Sequence, residues 1–236
     1  MEEKDKYISF YDQFSTDSRK QEISALNVSI LDKLVAEGLK SNHKVIEGGC
    51  GLGELSHLLA NKVKNGKVLG VDINEDTVQR ASELWKKQKN LSFVKAEMKA
   101  FENRGETYDF FVLTDILQQI TTDKHLRLFE AVRRHSHEDT TIFIHLPTPR
   151  FSEWRAYNDP ESLQFIEPSV NIAGLVESLT VNDFYLEKAV SYNVFYEEND
   201  FQYFIFKPLT RIAAPTPKKK WANLKEKLPN NLLGLL

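Results

Sequence analysis

Val45-Ile46-Glu47-Gly48-Gly49-Cys50-Gly51-Leu52-Gly53 carries a short apolar run into a glycine-rich turn, and an apolar helix pattern follows through Ala60. A strand that ends in such a turn and passes straight into a helix is the opening unit of a parallel α/β sheet. The glycines permit a tight turn and a close approach of a ligand to the backbone. The helix start adds N–H groups without intrahelical partners. The stretch therefore predicts a nucleotide-type binding loop at the carboxyl end of the first strand, against the plainer reading of a tight turn and nothing more.

Spacing narrows the ligand. A dinucleotide fingerprint G-x-G-x-x-G counted from Gly49 needs its third glycine at position 54, where Glu54 stands; here the third is Gly53. The phosphate loop G-x-x-x-x-G-K-[ST] is absent. Glu47 would repel a pyrophosphate, whereas it favours a ligand with an ammonium and a sulfonium. A second signal is Gly70-Val71-Asp72-Ile73, which places an acid at the end of the second strand, beside the first loop in a doubly wound sheet. Its two oxygens can accept from both hydroxyls of a ribose.

Outward from the loop the alternation continues. Strands are predicted at Lys44–Glu47, Lys67–Asp72, Leu91–Lys95, Tyr108–Thr114 and Thr140–Leu146. Helices are predicted at Glu22–Gly38, at Asn74–Lys87 with Asn74 as its cap, and at Asp123–His135 capped by Asp123. Phe110-Phe111-Val112-Leu113 is apolar on both faces, as a central parallel strand requires. Residues 147–167 have no clear period and read as a loop over the strand ends. Pro168–Leu179 is a short helix, and Phe184–Phe195 with Phe201–Phe206 reads as a closing hairpin. The expectation is a Rossmann-like, seven-stranded, mostly parallel sheet with helices on both faces and a C-terminal antiparallel hairpin. It divides into an N-terminal lid and helix (1–40), a main domain (41–210) and a basic tail (211–236).

The run Glu47-x-Gly49-x-Gly51-x-Gly53, then Asp72, then Phe110–Gln119 resembles the successive motifs of the class I S-adenosylmethionine-dependent methyltransferases over roughly residues 40–146. The resemblance implies S-adenosyl-L-methionine as cofactor. It assigns Glu47, Gly49, Gly51 and Gly53 to the methionine end, Asp72 to the ribose and Ile73 to the adenine face. Glu97, in Ala96-Glu97-Met98, would receive the adenine amino group, although relatives more often place Asp there. Asp115 would face cofactor or substrate, or cap the next element. Relatives often carry Glu-His where Gln118-Gln119 stands, and this departure leaves the base open.

For a hydroxyl acceptor a base helps, and His145, at the end of the fifth strand, is the candidate; a backbone-bonded structural histidine is the alternative. His125, His135 and His137 read as solvated. Tyr11, Trp154, Arg155 and Tyr157 would form an aromatic and polar rim suited to a sugar, or a packed lid without substrate contact. Tyr7–Asn27, His145–Phe151, Leu163–Pro168 and Asp200-Phe201-Gln202-Tyr203 resemble bacterial methyltransferases associated with surface-polysaccharide synthesis. That resemblance implies O-methylation of a sugar or lipid-linked glycan. A non-catalytic S-adenosylmethionine-binding protein and a nicotinamide-dependent oxidoreductase remain the rival readings.

Charge and composition bound the partners. Residues 211–236 hold Arg211, Lys218, Lys219, Lys220, Lys225 and Lys227 against Glu226 alone, a net +5 within an overall charge of −3, which leaves −8 on residues 1–210. A body that acidic is a poor nucleic-acid binder, because affinity there depends on neutralising phosphates. Thr114-Asp115-Ile116-Leu117 also lacks the Asn/Asp-Pro-Pro-aromatic run of base N-methyltransferases. Cys50 is the single cysteine, so no internal disulfide and no cysteine-based zinc site is expected, in keeping with a cytoplasmic protein. No metal-ligand cluster is apparent, and a small-molecule or glycan acceptor is the expected partner. The basic segment from Trp221 reads as a solvated tail or as a peripheral contact with the inner face of a membrane.

Overall fold

The structure, a computed structural model, describes residues 24–103, 105–158 and 170–210. Seven strands form one sheet: β1 (Lys44–Gly48), β2 (Lys67–Asp72), β3 (Leu91–Lys95), β4 (Tyr108–Thr114), β5 (Ser136–Pro147), β6 (Phe184–Tyr192) and β7 (Phe201–Pro208). Their order is β3-β2-β1-β4-β5-β7-β6. The first five pair in parallel, and β7 runs antiparallel to both β5 and β6. The Rossmann-like sheet read from the sequence is the one observed. The order reverses between β1 and β4, and such a switch point opens a crevice at the carboxyl ends of the strands.

Alternation along the central strands sorts their side chains into two cores. On one face Ile46, Phe111, Leu113, Ile142, Ile144 and Phe206 pack with Leu128, Phe129 and Val132 of α4 (Thr122–Arg134) and with Leu175 and Leu179 of α6 (Ile172–Val181). On the other, Val45, Phe110, Val112, Phe143 and Ile205 pack with Ile30 and Leu34 of α1 (Ala25–Ala36) and Leu55 and Leu59 of α2 (Glu54–Lys62). Each fully buried Leu or Phe there contributes about 1.5–3 kcal/mol of transfer free energy. Phe129, at 0% exposure, illustrates the stake, since truncating such a ring to Ala costs about 3–5 kcal/mol.

Three local expectations are corrected. α4 starts at Thr122 with Thr121, not Asp123, in the cap position. Residues 149–158, read as loop, form a helix, α5 (Pro149–Asn158). His125 and His135 are buried, not solvated: His125 Nε2 lies 3.1 Å from the Leu117 carbonyl and His135 Nδ1 2.8 Å from that of Glu106. Both rings fill space behind loops at the ends of α4, where a backbone oxygen meets their polar edge. Tyr11, the rest of the N-terminal arm and the basic tail lie outside the described residues.

Candidate functional site

The glycine turn is built from behind. The N–H groups of Gly49 and Cys50 both donate to the Val71 carbonyl, at 2.8 and 3.0 Å, so the turn hangs on the end of β2. Gly49, Gly51 and Gly53 all have positive φ, at 73°, 52° and 78°, a region that side chains with a Cβ rarely adopt. Gly51 has open space on its Cβ side, whereas a Cβ on Gly53 would run into the Phe93 ring. One glycine thus clears room for a ligand and the other lets β3 pack beneath the loop.

Glu47 lies under this turn at 2% exposure, and its carboxylate accepts a hydrogen bond from the Ser56 hydroxyl of α2. Burial pushes its pKa up to about 8, against the pull of Ser56. A cation brought beside a carboxyl group so enclosed favours its anion further. Asp72 closes the other side: Oδ2 accepts from Gly51 N at 3.0 Å and Oδ1 from Asn74 N at 2.9 Å. Burial raises its pKa, and those backbone donors oppose the shift. Asn74 caps α3 (Glu75–Leu84), as its sequence position suggested, by accepting from Thr77 N.

The other sequence-derived residues gather on the same rim to different degrees. Ile73 is 52% exposed next to Asp72, an uncovered apolar surface at the crevice. Glu97 follows β3, whose end is tied to Asp72 through Ala96 N to Asp72 O at 2.9 Å; its carboxylate pairs with Lys99 at 2.7 Å. Asp115 follows the end of β4, and its neighbour Ile116 is the residue a Cβ on Gly49 would touch. His145, in β5, is 0% exposed and stacks on Phe201 with ring centroids 5.1 Å apart. No ring atom of His145 reaches the surface, so the expectation that it takes a proton directly from an acceptor conflicts with its enclosure.

Trp154, Arg155 and Tyr157 sit on α5. Trp154 stacks on Phe151 at 6.0 Å and meets Tyr196 of the β6–β7 hairpin at 5.6 Å, and Arg155 lies 5.8 Å over the Phe151 ring. Tyr157 is 88% exposed and stands apart from that cluster. An open surface groove of about 600 Å³ at the end of β5 is lined by Thr148, Arg150, Ser191, Glu198, Asn199 and Gln202, among others. Sequence reasoning missed Ser56, Trp85, Phe93 and Tyr192, which support the predicted groups from other elements. A Ser nine residues after the acid, in the first turns of the loop's helix, was the one signal available.

Residues 45–139 match the family described as a methyltransferase domain. Over that stretch the chain is similar to methyltransferase domains. The folds of solved structures agree with it. The PH0226 protein from Pyrococcus horikoshii superposes with a TM-score of 0.65 at 20% identity, over 80% of this chain and 92% of that one. An S-adenosylmethionine-dependent methyltransferase from Aquifex aeolicus gives 0.61 at 21% identity, over 74% and 87%. The magnesium protoporphyrin IX methyltransferase from Synechocystis, with bound S-adenosylhomocysteine, gives 0.59 at 19% identity, over 88% of each chain. At these identities the likeness is one of fold. No curated protein matches the sequence.

S-adenosylmethionine, the cofactor of this methyltransferase class, fits the cradle. The buried carboxyl of Glu47 is complementary to a cationic ligand, Gly51 leaves the space open, and Asp72 presents a carboxylate already oriented by two backbone donors. Among the described residues, no group of three or more His, Cys, Asp or Glu is placed to hold a metal ion. No helix among them is long and apolar enough to cross a membrane.

Proposed function

We propose that this methyltransferase transfers a methyl group from S-adenosylmethionine to a hydroxyl oxygen of a small molecule, and that the acceptor is a sugar or a glycan. The observation that carries the reading is the buried Glu47 carboxyl beneath the glycine turn, which suits a cationic cofactor and disfavours a pyrophosphate. When bound, the cofactor supplies an electrophilic methyl group on sulfur and its own leaving group. The chain's residues are left to hold, align and exclude water. Glu47 and the turn receive the amino-acid end, Asp72 the ribose hydroxyls, Ile73 an adenine face and Glu97 its amino group. Asp115 lies on the acceptor side.

The sugar reading draws on the open surface groove at the end of β5. Hydroxyl, amide, carboxylate and guanidinium groups from Thr148, Ser191, Asn199, Gln202, Glu198 and Arg150 line it, and Trp154 and Tyr196 are half-exposed rings of the Phe151 cluster. Several donors and acceptors in one groove are complementary to a polyol. A glycan of surface-polysaccharide synthesis, met at a membrane through the basic tail, is the setting that the sequence resemblance supports.

Calorimetry with S-adenosylhomocysteine, beside a nicotinamide dinucleotide, tests the cofactor half. Binding of the first alone is expected, and no binding of it overturns the reading. Transfer of labelled methyl to a panel of free sugars, sugar nucleotides, lipid-linked glycans and amines tests the acceptor half. Labelling confined to amines would reject the hydroxyl assignment.

A further inference from the structure

Three polar side chains form a line from the hairpin to the end of β4. The Tyr192 hydroxyl lies 2.8 Å from His145 Nε2, and His145 Nδ1 lies 3.7 Å from Asp115 Oδ1. Both facing atoms, His145 Nδ1 and Asp115 Oδ1, are buried and make no hydrogen bond. The rest of the Asp115 side chain, 44% exposed overall, opens outward. Buried polar atoms of this kind are nearly always paired. Here each has the other as its natural partner, and a closure of roughly 0.5–1 Å would make the bond.

The backbone holds the pair in place. The Asp115 N–H donates to the His145 carbonyl at 3.2 Å, and Asp115 has φ 53°. A non-glycine residue in that region is uncommon and marks a conformation fixed by its surroundings. Burial raises the Tyr192 phenol well above its usual range, so it remains an O–H donor at neutral pH. Ser29 also hydrogen-bonds the Tyr192 hydroxyl; with Ser29 donating to the phenol oxygen and Tyr192 donating to Nε2, the ring's proton sits on Nδ1 and points at Asp115.

We propose that Asp115 is the base that takes the acceptor's proton, and that His145 and Tyr192 are positioning residues that fix its inner oxygen. The proposal rests on the methyl-transfer reading. The acceptor's O–H bond breaks as its oxygen forms the new bond to carbon, and the electron pair of the broken C–S bond stays on sulfur. The proton passes to the outer side of the Asp115 carboxylate and leaves to solvent through that exposed face. His145 never exchanges a proton with the acceptor; its charge-facing N–H keeps the carboxylate aimed.

Nitrogen-15 NMR of histidine-labelled protein bound to S-adenosylhomocysteine, with His145→Gln used to assign the ring, tests the clamp. One tautomer protonated at Nδ1 is expected in the wild type. Asp115→Gly, which tolerates the positive φ, and Tyr192→Phe should each shift or mix those resonances, and Tyr192→Phe should do so with S-adenosylhomocysteine affinity unchanged. A proton on Nε2, or resonances indifferent to Asp115→Gly, overturns the proposal. Failure of the wild type to bind S-adenosylhomocysteine would instead reject the underlying function. With the hydroxyl acceptor found in the panel, Asp115→Asn should lower kcat by about 10²-fold or more at unchanged acceptor KM. An unchanged kcat removes Asp115 as base.

Discussion

The indole N–H of Trp85 donates to the Leu52 carbonyl across 2.7 Å, joining the residue that ends α3 to the glycine turn. The same ring stacks on His57 of α2 with centroids 4.0 Å apart. Trp85→Phe keeps an aromatic face and loses the donor. It should cost about 1 kcal/mol, seen as a fall of about 2–4 °C in Tm for a chain of this size. S-adenosylhomocysteine affinity should fall with it, because Leu52 lies inside the turn. A variant with wild-type Tm and affinity would show that the bond does not hold the turn.

Gly53 combines a φ of 78° with a Cβ direction blocked by Phe93. Gly53→Ala therefore meets a backbone cost of about 1–2 kcal/mol and an overpacking cost of about 1–3 kcal/mol. Chemical denaturation should register the sum. Adding Phe93→Leu should return the packing share and leave the backbone share, so the two substitutions are non-additive. Strict additivity would remove the contact from the explanation.

The buried Glu47 makes stability depend on pH. Its pKa rises from an ordinary 4.5 to about 8 on folding, so the folded state keeps a proton that the unfolded chain gives up. The stabilisation is complete below about pH 4.5 and is lost as pH rises through about 8, at no more than about 1.4 kcal/mol per pH unit. Glu47→Gln should flatten that slope in urea titrations of the ligand-free protein. Binding of the cationic S-adenosylmethionine at pH 7 should also release protons, measured by calorimetry in buffers of different ionisation enthalpy. Equal apparent enthalpies in all buffers would contradict the assignment.

Asp72 serves the fold and the ligand together. Asp72→Ala leaves the N–H groups of Gly51 and Asn74 without their acceptors, at a cost of about 1–3 kcal/mol for each that stays buried. Asp72→Asn retains one acceptor oxygen and should cost less, yet it should still weaken S-adenosylhomocysteine binding. Glu97→Ala, at an ion pair whose carboxylate side chain is 46% exposed, should leave Tm unchanged. Parallel melting curves and calorimetry on the three variants separate these outcomes.

The parallel strands were legible because burial on both faces leaves nearly unbroken apolar runs, as in Phe110–Leu113. The glycine turn was legible because positive φ at three alternate positions admits little besides glycine. α5 was not legible from periodicity, since it buries no residue of its own and is held by aromatic stacking around Phe151. Its start carried a signal nonetheless: Thr148-Pro149, a cap residue followed by proline at the first helical position. Thr148 Oγ1 indeed accepts from Phe151 N at 3.3 Å. The early start of β5 at Ser136 was hidden by the polar residues His137, Glu138 and Asp139, which enter the strand across a register shift against β4. The Asp115–His145–Tyr192 line could not be seen at all, because Tyr192 is distant in sequence and ordinary in its local pattern.

α1 touches the two halves of the crevice at once. Asn27 donates to Glu54 at the start of α2 at 3.1 Å, and Lys33 Nζ lies 4.7 Å over the Tyr192 ring. Further along, Glu37 accepts from Lys188 and from Tyr203. These last partners come from strands made late in the chain, so the contacts close very long loops, the kind of closure that slows folding. A helix near the start of the chain thus waits for the hairpin near its end. Until the hairpin is in place, Glu37 lacks both of its partners and Lys33 lacks the Tyr192 ring, so this side of α1 is anchored only when the last strands arrive.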